Sequence, residues 1–179
     1  VRALANKNLK GFYPTLRMVA ERLKRRWEDM ADREEAVDIQ SELMRFTVDV
    51  TMLLAFDYDT NTLEKGEDVI QRHIEVIFPE LARRLSSMFP YWRYVKLPRD
   101  KRLEAANDAI REFLAPIIDK TREELEERPE LADKPRNFLE AMLSGRDQNG
   151  EPFPEDRIYA NAMTMLLAGE DTTANTLAW

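Results

Sequence analysis

The chain has no cysteine and only one histidine, His73, in 179 residues. Without cysteine it forms no disulfide, no Cys-bearing zinc or iron–sulfur site, no thiol nucleophile and no thiolate metal ligand of its own. A single histidine rules out multi-histidine metal centres. Five glycines are too few to favour a Rossmann or phosphate-cradling loop, and neither spacing occurs. No apolar run approaches the roughly 18–20 residues needed to cross a bilayer. The most apolar stretch, Ala160 to Gly169, still carries Asn161 and Thr164. There is no signal-peptide pattern.

What is present suits a folded domain: 44% apolar and 34% charged residues, with a net charge of −7. The length suits one domain. The chain begins at Val1 rather than Met and stops at Trp179 inside a helical pattern, so it is expected to be a piece of a longer protein, residues 1–179 forming one partial domain. Charge is uneven. Residues 1–26 hold eight basic side chains (Arg2, Lys7, Lys10, Arg17, Arg22, Lys24, Arg25, Arg26) and one acid, Glu21. Such a stretch either docks an acidic partner or is a solvated helix face. A nucleic-acid reader would interleave aromatics with the basic residues, and Arg22–Arg26 contains none, so no nucleic acid is expected.

Periodicity is helical nearly throughout, and the expected class is mainly α. Leu16, Val19, Leu23 and Trp27 predict a helix from about Pro14 to Met30; Leu43, Phe46, Val50 and Leu53 predict one from about Ile39 to Ala55. A third is expected from Leu63 to Leu85, kinked or divided at Pro79, and a fourth from Arg99 to Glu127, kinked at Pro116. A short helix follows at Arg136–Leu143, then a turn at Asp147-Gln148-Asn149-Gly150. Pro154-Glu155-Asp156 opens a long last helix, with proline and acids where missing donors and the helix dipole favour them. Ala36–Ile39 is the only strand signal.

The last helix breaks its own rule at Ala168-Gly169-Glu170-Asp171-Thr172-Thr173. Glycine costs about 1 kcal/mol against alanine inside a helix. Asp, Asn and Thr are weak helix formers as well. Such a turn implies a break or a function. Helical spacing lines up Ala168, Gly169 and Thr172, two nearly bare backbone positions beside a hydroxyl, where a flat ligand can approach. Asp171 lies about 100° round from Thr172 and flanks it. A hydroxyl beside an acid suits proton delivery; the alternative is a frayed helix end.

These six residues match every defined position of the motif [AG]-G-x-[DE]-T-[TS], and in this the chain resembles the cytochrome P-450 family. The polar turn and acidic helix start from Asp147 to Asp156 and the stretch Asp49–Asp59 are similar to that family too, so the resemblance covers the whole chain, from after the third lettered helix into the ninth. It implies a partial cytochrome P-450 fold, a multi-helix array with a long C-terminal helix. It also implies a haem-thiolate monooxygenase that inserts one atom of O2 into a small hydrophobic organic substrate, fed by an electron-donor protein, a reductase or ferredoxin. By the same resemblance Thr172 and Asp171 deliver protons for O–O cleavage. Ala168, Gly169, Thr172 and Thr173 contact the haem, while Glu170, in the variable position, faces outward. Ile74, Ile77, Phe78, Leu81 and Met165 line the substrate's path; the alternative for these is ordinary core packing. The family's haem-binding loop, F-x-x-G-x-R-x-C-x-G, is absent, and its E-x-x-R helix normally lies downstream of this segment. The iron ligand is therefore expected elsewhere, His73 is read as a surface residue, and the segment alone is expected to be inactive. The expected location is cytoplasmic, with an upstream anchor left open. Two rivals are a helical enzyme holding Mg²⁺ on acidic motifs and a non-catalytic helical interaction domain.

Overall fold

The computed structural model describes residues 10–65 and 69–179. It is an array of helices: α1 (Tyr13–Asp32), α2 (Ile39–Phe56), α3 (Thr62–Lys65), α4 (Val69–Leu85), α5 (Pro98–Glu127), α6 (Glu130–Asp133), α7 (Phe138–Ser144) and α8 (Glu155–Ala178), with 3₁₀ turns at Lys10–Phe12 and Tyr91–Arg93. Among the described residues no strand forms, and the only β-type contact is an isolated bridge between Arg146 and Pro152. That bridge closes the expected turn: Asp147 Oδ1 accepts from the backbone N–H of Asn149 and Glu151, and Gly150 takes φ +82°. None of the described helices is long and apolar enough to cross a membrane.

The strand expected at Ala36–Ile39 does not form. Asp38 instead caps α2, its carboxylate accepting from the Ser41 N–H at 3.2 Å. Of the helix expected over Leu63–Leu85, Thr62–Lys65 and Val69–Leu85 are helical, and 66–68 lie outside the described residues. Neither Pro79 nor Pro116 divides its helix. Packing on both sides outweighs one missing backbone bond: Ile77 on α4 and Ile117 and Ile118 on α5 are all buried in the main core.

Two apolar clusters hold the array. The larger joins Val48, Met52 and Phe56 of α2, Ile70, Ile74 and Ile77 of α4, the Leu103–Ile118 stripe of α5, Leu139 of α7 and Ile158, Ala162 and Leu166 of α8. The smaller joins Val19 and Leu23 of α1 to Leu43, Leu63 and Ala174. Among the described residues only α2 and α8 contribute to both, so their packing fixes where the end of α8 lies. Polar pins add register. Buried Asp49 accepts from Thr60 Oγ1 (2.7 Å) and from the backbone N–H of Thr62 (2.8 Å) and Leu63 (3.3 Å), which seats α3. Asp100, buried at the start of α5, accepts from Arg84 (3.0 Å) and the Leu97 N–H (3.0 Å). Burial pushes its pKa up, but these hydrogen bonds outweigh burial and hold it below the usual aspartate range.

The basic stretch is part solvated and part tied where it is described: Arg17 and Lys24 are exposed beside Glu21 and Glu28 of their own helix, whereas three arginines bond to other elements. Arg22 pairs with Asp59 through two 2.6 Å bonds, Arg25 with Glu64 (2.8 Å), and Arg26 with Glu42 and the Leu63 carbonyl. Its guanidinium groups tie α1 to α2 and α3. Arg2 and Lys7 lie outside the described residues.

Candidate functional site

Helix α8 runs unbroken from Glu155 to Ala178, straight through the turn that propensity disfavours. Two things make this possible. One side is packed: Ile158, Ala162, Leu166, Glu170 and Ala174 are buried. On the other side the polar side chains bond back along the helix rather than against it. Thr172 Oγ1 donates to the Ala168 carbonyl (2.8 Å), Thr176 Oγ1 to the Thr172 carbonyl (2.7 Å), and Asn175 Nδ2 to Asp171 Oδ1 (2.9 Å).

Burial differs among the residues that helical spacing groups. Ala168, Thr172, Thr173 and Thr176 are exposed. Gly169, among them on the helix, is half-buried against α2. A Cβ built on it would lie 2.6 Å from Thr51 Oγ1 and 3.0 Å from Thr51 Cγ2, so the glycine is what lets α8 approach α2. One turn away, the Thr47 hydroxyl lies within hydrogen-bond distance of both the Met44 carbonyl (2.9 Å) and the Glu170 carbonyl (3.2 Å). Glu170 does not face outward as expected: it is 0% exposed, on the packed side. The Glu170 and Asp171 carboxylates therefore lie on different sides of the helix, which removes the acidic-motif Mg²⁺ reading.

Asp171 is half-buried at the edge between the two sides, flanking Thr172 as spacing requires. Its partner Asn175 is itself held: Gln40 Nε2, at the start of α2, donates to Asn175 Oδ1 at 3.0 Å. Sequence reasoning did not find Thr47, Thr51 or Gln40. They lie more than a hundred positions from their partners, and the one local hint is Thr47 and Thr51 spaced by four on the face of α2.

The other expected site residues divide. Ile74 and Ile77 are buried in the main core, the ordinary-packing alternative. Phe78 and Met165 are half-buried against that core, and Leu81 is exposed on α4. His73 is half-buried on α4, a different helix from the open face. Two surface hollows lie elsewhere, one of about 400 Å³ beside Arg22, Arg26 and Glu35 and one of about 350 Å³ beside Phe138, Met142 and Phe153; neither includes a residue of Ala168–Thr173.

A family model described as "Cytochrome P450" matches residues 1–179. Among curated relatives, the chain is 28% identical over 171 residues to a chloroplastic carotene epsilon-monooxygenase of Arabidopsis thaliana, covering 89% of this chain and 31% of that protein. It is 24% identical over 180 residues to a human ultra-long-chain fatty acid omega-hydroxylase, covering 96% and 34%. The chain thus spans about a third of the length of these relatives. In three dimensions it resembles the crystal structure of a cytochrome P450, CYP102L1, with a TM-score of 0.74 at 23% identity, covering 98% of this chain and 38% of that one. It also resembles the cytochrome P450DA heme domain, with a TM-score of 0.64 at 23% identity, covering 96% and 35%.

Proposed function

This chain belongs to the cytochrome P450 family, and on that premise we propose that it is the central helical part of a haem monooxygenase that inserts one atom of O2 into a small hydrophobic organic substrate. The observation that carries the reading is the open side of α8, where the signature presents small side chains and a positioned hydroxyl to the exterior.

The residues present fit a flat macrocycle. Ala168 and Thr172 lie one turn apart on the open side, and Thr173 and Thr176 extend it without bulk. When bound, the haem supplies oxygen activation, and its iron ligand comes from outside this chain, which has no cysteine. Ala168 gives the close flat contact, with Thr172 and Thr173 beside it. Gly169 serves the site indirectly, by seating α8 against Thr51.

Thr172 already donates its hydroxyl hydrogen to the Ala168 carbonyl. Its oxygen keeps its acceptor capacity, and it accepts a hydrogen bond from a water or a protonated oxygen group on the exposed side. Asp171, at the edge, takes protons from solvent and passes them along that water to the face that Thr172 organises. Leu81 and Phe78 keep surface on α4 and stay candidates for the substrate's path, with Met165 beside the open side of α8. Electrons come from a reductase or ferredoxin.

The test uses the full-length protein that carries this chain. Reduction under carbon monoxide gives the absorption band of a thiolate-ligated haem. Thr172→Ala keeps that band and still consumes electrons, but releases hydrogen peroxide in place of product. Unchanged product per reducing equivalent rejects the role of Thr172.

A further inference from the structure

The hydrogen-bond chain Gln40–Asn175–Asp171 joins two helices end to end. Asn175 Nδ2 donates to Asp171 Oδ1 at 2.9 Å, and Gln40 Nε2 donates to Asn175 Oδ1 at 3.0 Å. The bond within α8 alone is an ordinary i,i+4 pair of the kind that adds a few tenths of a kcal/mol to many helices. The second bond makes this one different. A carboxamide has one donor end and one acceptor end. With Gln40 supplying N–H to the oxygen, Asn175 presents its donor end to the carboxylate at the exposed surface. Turned over, it would set NH₂ against NH₂ and oxygen against carboxylate.

We infer that Asn175 and Gln40 are positioning residues for proton delivery: Gln40, on α2, orients the Asn175 carboxamide, which holds the Asp171 carboxylate at the edge of the open face beside Thr172. Gln40 has no hydrogen bond to Asp171 and acts only through Asn175. The anchor is well placed, because α2 is the helix against which α8 is seated by the Gly169–Thr51 approach and by the Thr47–Glu170 bond. The inference rests on the reading of Asp171 as the proton-delivering acid.

The test uses the full-length haem protein and two readouts: product formed per reducing equivalent, and the isotope-edited infrared carboxylate band that disappears in Asp171→Asn. Asn175→Ala is expected to lower coupling about fivefold, the worth of one net hydrogen bond, and to move the Asp171 band, with KM unchanged. Asn175→Asp has nearly the same shape but no donor, and is expected to be at least as damaging; a purely packing role predicts near-neutrality for it. Gln40→Glu offers Asn175 an acceptor in place of a donor and turns the carboxamide over, so it is expected to exceed Gln40→Ala, which costs about twofold. In the Asn175→Ala background Gln40→Glu is expected to add nothing.

An Asp171 band unmoved by Asn175→Ala, or an equal effect of Gln40→Glu with and without Asn175, overturns the inference. Asp171→Asn with full coupling, while Asn175→Ala still moves the Asp171 band, overturns the proton-delivery reading and leaves the clamp standing. If Asn175→Ala unfolds the protein, Gln40→Glu carries the same test from the surface of α2.

Discussion

The two sides of α8 use one stretch of sequence for opposite ends. Toward α2 the helix is closed: Leu166 and Ala162 sit in the main core, Ala174 in the smaller one, and Gly169 admits Thr51 so closely that no side chain would fit. Elsewhere it is open, with Ala168, Thr172, Thr173 and Thr176 exposed and their hydroxyls, where bonded, turned back onto their own helix. A position's meaning within the signature therefore depends on its side. Gly169 and Glu170 belong to the seam and set where the helix lies. Ala168, Asp171 and Thr172 belong to the face and set what it can do.

Substitutions can break this division or sharpen it. The largest effect is expected at the seam's apolar centre: Leu166→Ala removes a fully buried side chain from the main core and should lower stability by about 3 kcal/mol in urea denaturation. Next is Gly169→Ala. The gain of about 1 kcal/mol in helix propensity is outweighed by the clash with Thr51, for a net loss of about 1–2 kcal/mol. Thr51→Ala in the same protein should recover most of it; a double variant no better than the single would move Gly169 off the seam. Thr47→Val keeps the shape and removes the hydroxyl that reaches the Glu170 carbonyl, with an expected loss of about 1 kcal/mol. Smallest is Thr172→Ala, within about 0.5 kcal/mol of the parent, because its hydroxyl touches only its own helix in this structure. Thermal unfolding that shows Thr172→Ala to be as damaging as Gly169→Ala would erase the distinction between the two sides.

Much of this was legible in the residues. Apolar spacing placed the long helices to within a few residues at each end, because a helix buries a stripe and the stripe is written locally. The Ala168–Thr173 turn announced itself by conflict with helix propensity. The misreadings share one cause, which is dependence on a distant partner. Asp38 looked like part of a strand and is a cap, since Val37-Asp38-Ile39 alternates in polarity whether or not another strand is there to pair with it. The Arg22–Arg26 cluster read as a solvated helix face or a docking surface; Lys24 and Arg25 are exposed, while Arg22, Arg25 and Arg26 are tied to Asp59, Glu64 and Glu42, acids that only folding brings near. Ile74 and Ile77, candidates for a lining with core packing as the alternative, are buried in the main core, a placement that depends on α5 and is not written locally.

The sequence alone determined the helical class, the lack of any iron-ligating cysteine, and the presence of an acid beside a hydroxyl on the last helix; each follows from residue identity and local spacing, which need no other part of the chain. The tertiary structure alone decided that Gly169 packs against Thr51 while Ala168 and Thr172 stay exposed, and that Asp171 is tied through Asn175 to Gln40. A helix has no inside or outside until a second helix is packed against it, and the groups that do this here stand more than a hundred residues earlier in the chain.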